Sequence, residues 1–166
     1  MVYLLDADAF IRAKRLHYGF DFCPAFWDWL IANHAKGKVF SVDKVSNELK
    51  VGADELGRWA AARGSSFFLK PDQTTVAALT QVSAWIASKD YSTQATAAFM
   101  NGADYFLVAQ ALAGKHTVVT HEIPAPDTSK RRIKIPNVCA GLGVKCLSPF
   151  DMLRQEQARF QLGLSS

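Results

Sequence analysis

Paired cysteines are missing from this sequence. Its three cysteines, Cys23, Cys139 and Cys146, are odd in number and no two lie at C-x-x-C spacing. That argues against a zinc ribbon, a thioredoxin-type motif or a disulfide framework, and fits reduced thiols in a reducing cytoplasm. The four histidines, His17, His34, His116 and His121, show neither H-x-x-x-H nor H-E-x-x-H spacing, which argues against a zinc enzyme. No apolar stretch approaches the roughly 18 residues of a membrane span. The opening apolar run, residues 2–5, is stopped by Asp6 and Asp8, too soon for the core of a secretory signal. Repeats, low-complexity segments and linkers are also lacking. A cytoplasmic chain with no membrane association is the expectation.

What is present suits a globular fold. The chain has 166 residues, 49% hydrophobic and 20% charged, enough to bury a core without a structural metal. One domain over residues 1–166 is expected, with 162–166 as a frayed tail. The net charge of +4 permits an anionic partner such as nucleic acid without requiring one.

Short apolar runs alternate with helical patterns. Residues 2–5, 39–42, 67–69, 117–120 and 144–147 read as strands. The first is apolar throughout, as in a strand covered on both faces of a parallel sheet. Residues 7–16, 22–35, 44–50, 55–63, 72–88, 95–100, 103–113 and 148–160 read as helices, with Pro24 opening one, Gly37 closing it and Gly64 breaking the chain. Residues 123–136, rich in proline and basic residues, read as a loop. The alternation predicts an α/β fold: a single three-layer domain, a central mostly parallel sheet with helices on both faces.

In such sheets, sites lie beyond the carboxyl ends of the strands. Asp6 ends the first strand there, with Asp8 two residues on, and Glu122 follows the fourth strand after Thr120 and His121. Glu48 falls one turn past Val45, on or beside the buried face of its helix. Asp104 opens a helix that is apolar almost all round and therefore central. Singly, each acid has a plainer role: Asp6 as a cap, Asp8 and Asp104 as favourable charges at helix starts, Glu48 as a solvated residue, Glu122 as a polar loop residue. Together, four converging carboxylates would repel one another unless divalent cations neutralised them. Oxygen ligands suit Mg²⁺ or Mn²⁺, metals that serve phosphodiester hydrolysis. Lys130, Arg131, Arg132 and Lys134 follow this region and are candidates for holding RNA phosphates, as a solvated charge run is for holding nothing. Arg12, Lys14 and Arg15 carry the same ambiguity. Trp27, Trp29, Trp59 and Trp85 are spaced like helix core or a dimer face, not a base-stacking platform.

These motifs resemble the PIN-domain ribonuclease family. Y-L-L-D-A-D-A-F-I resembles its opening motif, V-x-x-V-S-N-E-L the second, N-G-A-D-Y-F-L-V-A-Q-A the third and V-V-T-H-E the fourth. The C-terminal stretch I-P-N-V-C-A-G-L-G-V-K-C-L-S-P-F-D-M-L is similar to that of an uncharacterised prokaryotic PIN-like group. The resemblance implies a Mg²⁺- or Mn²⁺-dependent endoribonuclease with Asp6, Glu48, Asp104 and Glu122 as the catalytic, metal-binding acids. Thr120 and Asp8 would support those ligands from behind. It also implies a toxin of the VapC type, held by a protein antitoxin and able to form a homodimer. Two positions depart from the family pattern: Asp8 stands where Asn, Ser or Thr is usual, and Glu122 where Asp is common.

Two rivals remain open. A haloacid-dehalogenase-like phosphatase also begins with strand-D-x-D, but Phe10 stands where it needs Thr or Ser, and no second acid follows Asp104 closely. A non-catalytic PIN-like binding module needs the fold but not the acids.

Overall fold

In the computed structural model, which describes residues 1–163, the run before Asp6 forms β1 (Tyr3–Leu5), and all three of its residues are buried. β2 (Val39–Val42), β3 (Phe68–Leu69), β4 (Thr117–Val119) and β5 (Cys146–Leu147) complete a five-stranded sheet in the order β3-β2-β1-β4-β5. Every pairing is parallel, and Tyr3 sits between Val39 of β2 and Thr117 of β4. The chain builds outward from β1 to β3, then crosses back to β4 on the other side of β1. The crevice beyond the ends of β1 and β4 is therefore the point where strand order reverses, the place such sheets bind ligands. The Asp6 amide donates to the Val119 carbonyl there at 3.1 Å.

Parallel neighbours need crossovers, which helices supply. α1 (Ala7–Arg12), widening into a π-helical turn over Ala13–His17, and α2 (Pro24–Ala35) join β1 to β2. α3 (Asp43–Val51) and α4 (Glu55–Phe67) lead to β3. α5 (Gln73–Ala87), α6 (Thr93–Asn101) and α7 (Ala103–Gly114) lead to β4. α8 (Ile135–Leu142) precedes β5, and α9 (Pro149–Gln155) follows it. Asp72, Ser92 and Ser148 cap α5, α6 and α9 by accepting amides of their first turns, a bond worth about 1 kcal/mol each. α7 lies against β2 and β4 on one face of the sheet, flanked by α3, α5, α6 and α8, while α2 covers β2 from the other. This is the expected α/β arrangement with helices on both faces. Phe26, Trp27 and Leu30 of α2 are all buried, so that side of α2 is core and not a dimer face.

Three local expectations change. The segment after β4 does not stay a loop to residue 136: α8 begins at Ile135. Pro136 starts this helix because a first-turn proline needs no amide partner, and Gly143 ends it at φ +71°. The last helix stops at Gln155, short of residue 160, because Gln157 adopts φ +53°. The reversal turns Phe160 back onto Tyr18, ring centroids 5.7 Å apart. Gly64 breaks α4 with φ +66°, but helical turns resume as far as Phe67. In the expected tail, Leu162 is fully exposed, and residues 164–166 lie outside the described residues. Among the described residues, no helix is long and apolar enough to cross a membrane.

Candidate metal centre

Asp6 leaves β1 with its carboxylate buried, 2% exposed. Its Oδ1 accepts the Ala9 amide at 2.7 Å, so it does cap α1. Its Oδ2 accepts the Thr120 hydroxyl at 2.5 Å, and the same Thr120 oxygen accepts the Glu122 amide at 3.0 Å. The Thr120 bond joins the end of β1 to the segment just after β4.

Gly102, the residue before α7, offers no side-chain cap. Glu48 supplies one from α3, its Oε1 accepting the Ala103 amide at 3.3 Å. Glu48 is exposed, at the edge of the buried face of α3. The next residue, Asp104, is half-buried in the first turn of α7. Glu122 points at the start of α8: its Oε2 accepts the Ile135 amide at 2.7 Å, and its Oε1 lies 4.0 Å from the Arg132 guanidinium. Both glutamates thus face the positive end of a helix.

Burial pushes Asp6 up to about 7, with the Asp104 and Asp8 charges adding to it and the bonds from Thr120 and Ala9 opposing it. Burial likewise pushes Asp104 up to about 7, helped by Glu122, Glu48 and Asp8 and opposed by Arg132. Asp104 is therefore the hub, within electrostatic reach of the other three acids of the quartet. Near neutrality protons partly compensate this cluster, a role a cation can take over. The donor set is all carboxylate oxygen, which fits Mg²⁺ or Mn²⁺ and not a thiol- or imidazole-seeking metal. Among the described residues, no three Asp, Glu, His or Cys side chains already surround a common point as a finished ion cage. Each glutamate commits one oxygen to a backbone amide.

A cavity of about 350 Å³ opens over Asp104 and Glu122, walled by Gln94, Phe99, Arg131 and Arg132 among others. Asp6 and Glu48 stand outside its lining. The basic segment divides: Arg131 and Arg132 edge this cavity, Lys130 lies over the Tyr91 ring at 5.3 Å, and Lys134 sits just before α8. Asp8 pairs with Arg12 at 2.8 Å, and Lys14 pairs with Asp54. Asp8 thus acts on Asp6 and Asp104 through charge and not contact. Sequence reasoning did not single out Gln94 or Phe99, which reach the cavity from α6. It also missed a cluster of His17, His121 and Phe150 beside the acids, with ring centroids 5.0–5.4 Å apart. Only the adjacency of His121 to Glu122 hinted at that cluster.

The strand order, the parallel sheet and the helices on both faces make this a PIN-like α/β fold. One chain of the crystal structure of VapBC2 from Rickettsia felis, bound to a DNA fragment from their promoter, matches it with a TM-score of 0.54 and 12% identity, over 89% of this chain and 98% of that one. The chain belongs to the family described as Domain of unknown function (DUF4411), whose model matches residues 3–160. Among curated proteins, none matches this chain.

Proposed function

We propose that this chain is a Mg²⁺- or Mn²⁺-dependent endoribonuclease that hydrolyses RNA phosphodiester bonds, and that it acts as the toxin of a toxin–antitoxin pair. The observation that carries the reading is the electrostatic hub at Asp104, shared with Asp6, Glu48 and Glu122 at the β1–β4 crevice. In this reading Asp6 and Asp104 would hold the cation, and Glu48 and Glu122 would complete its shell. Thr120 fixes Asp6 in orientation, and Asp8 adds negative potential. When bound, the cation supplies charge neutralisation at the phosphodiester and a water acidic enough to attack it.

The chain's own residues do the rest. Arg131 and Arg132 draw RNA phosphates to the cavity mouth, with Lys130 and Lys134 extending the basic edge. Asp104, its carboxyl pushed up to about 7 by burial and by Glu122 and Glu48, would carry the proton that a bound cation replaces. No side chain serves as nucleophile. The Cys146 neighbour and burial both push the Cys139 thiol up, so it is no thiolate at neutral pH.

The whole of residues 1–166 is proposed as one PIN-like unit. A protein antitoxin and a homodimer are carried over from the family resemblance, the solved relative being described as VapBC2. A homodimer would have to use a surface other than the buried side of α2. Titrating metal-free protein with Mn²⁺ at pH 7 is expected to show saturable binding with proton release, and the loaded protein is expected to cut RNA but not a phosphomonoester. Phosphomonoester turnover without RNA cleavage would favour the haloacid-dehalogenase-like phosphatase. Absence of both cation binding and cleavage would favour a binding module.

A further inference from the structure

The tryptophans part company in the fold. Trp27 and Trp59 pack on one another, ring centroids 5.1 Å apart, and Trp59 packs on Phe10 and Phe67 in the core. Trp85, at the end of α5, stands instead beside Tyr91, 6.3 Å away, in a cleft of about 440 Å³ between α5, α8 and the segment before α8. Each ring carries a lysine: the Lys89 ammonium lies 5.4 Å from the Trp85 centroid and that of Lys130 lies 5.3 Å from the Tyr91 centroid.

The cleft is built, not incidental. A Cβ on Gly141 would fall 2.1 Å from the Trp85 indole nitrogen, so only glycine lets the ring lie this close to α8. Asn137 fixes the opposite wall by bonding both the amide and the carbonyl of Ala125, at 2.9 and 2.8 Å. The cleft lies one cavity away from the acidic centre. It shares Pro124, Pro136 and Ala140 with a cavity of about 610 Å³ beyond β5, and that cavity shares Glu122 with the one over Asp104.

We propose that the Trp85–Tyr91 cleft is a binding subsite for single-stranded RNA, stacking a base on an aromatic ring while Lys89 and Lys130 take the neighbouring phosphates. Flat rings interleaved with cations match the alternation of bases and phosphates along a single strand. An ammonium over each ring shows that the ring face is reachable from water, and a stacked base displaces it toward phosphate. Two lysines outweigh the single carboxylate in the lining, Asp127, which favours a polyanion. The identity of the strand as substrate rests on the ribonuclease reading, but the subsite is tested without cleavage.

The probe is octauridylate, added in EDTA while tryptophan fluorescence is followed. Binding with quenching is expected. Trp85→Leu should abolish most of the quenching and weaken binding roughly ten-fold, and Trp85→Phe should keep most of the affinity. Lys89→Ala with Lys130→Ala should lower the slope of log affinity against log salt by up to about 1.4. These two lysine changes leave the aromatic packing in place, so they decide the matter if Trp85→Leu does not fold. Octauridylate binding that is absent, or unchanged by these substitutions, overturns the proposal. So does octaglutamate binding the cleft more tightly than octauridylate, which would mark it as a protein-docking surface. Octauridylate binding that depends on Trp85 in a protein that cuts no RNA leaves the subsite standing and removes the nuclease reading. RNA cleavage with Trp85-independent binding does the reverse.

Discussion

The Thr120 hydroxyl donates to Asp6 Oδ2 at 2.5 Å while accepting the Glu122 amide at 3.0 Å. One side chain thereby ties the end of β1 to the acid that follows β4, across the crevice where strand order reverses. Thr120→Val keeps the shape and removes both bonds. It should cost about 1–3 kcal/mol of stability by leaving a buried carboxylate short of a donor, and weaken Mn²⁺ binding by roughly ten-fold. Thr120→Ser should restore most of both. Denaturant melts and calorimetric titration of the three proteins check this, and equal Mn²⁺ affinity in all three would show that Thr120 does not position Asp6.

A pH dependence follows from burial of the acids. Asp6 and Asp104 titrate near 7 in the fold against an ordinary value of 3.8, so the folded state binds these protons more tightly than the unfolded chain. Their contribution is fully present below about pH 4 and is lost as pH rises through 7. For Asp6, 2% exposed, the span corresponds to a loss on the order of 4 kcal/mol. Metal-free protein should therefore melt higher at pH 5.5 than at pH 8, and Mn²⁺ should raise the melting temperature at pH 8 far more than at pH 5.5. A melting temperature that rises with pH in EDTA would contradict the burial account.

Asp104→Asn removes the hub charge and keeps the side-chain shape. At pH 8 in EDTA the variant should be more stable than the parent, because the repulsion from Glu122 and Glu48 is relieved. Thermal melts at pH 8 with and without Mn²⁺ should show a higher base value and a smaller cation-induced rise. A destabilised variant would mean that Asp104 has a structural partner outside this electrostatic picture.

Arg131→Ala with Arg132→Ala takes two exposed cations from the cavity mouth. RNA binding should weaken and its log–log salt slope should fall by up to about 1.4, near 0.7 for each phosphate contact on a single strand. Mn²⁺ affinity should hold or rise modestly, since the change takes a positive charge from beside Glu122 and Asp104. Filter binding across a salt series measures the first, calorimetry the second. An unchanged slope would make this basic run a solvated charge patch.

The sheet was legible because burial on both faces writes itself as unbroken apolar runs, clearest at residues 3–5 and 118–119. Asp6, Asp104 and Glu122 were legible for a related reason: each marks the place where such a run ends or a buried helix begins. What the sequence hid is tertiary. That Glu48 caps α7 from another helix depends on how α3 meets Ala103, which no local spacing encodes. α8 was masked by the proline and basic residues before it, although Ile135, Val138 and Leu142 already lie at helical spacing. Trp85 shares a helical face with the buried Val82, and Ile86 beside it is also core. It therefore reads as core, and only the end of α5 at Ala87 leaves its ring facing the cleft.

The most direct measurement is single-turnover cleavage of single-stranded RNA by purified parent and Asp104→Asn proteins in Mg²⁺, after melts show both folded. The account predicts cleavage by the parent that stops in EDTA, and no detectable cleavage by Asp104→Asn at any Mg²⁺ concentration. Cleavage by Asp104→Asn at the parental rate, or by the parent in EDTA, would contradict the claim that these acids form a cation-dependent nuclease centre.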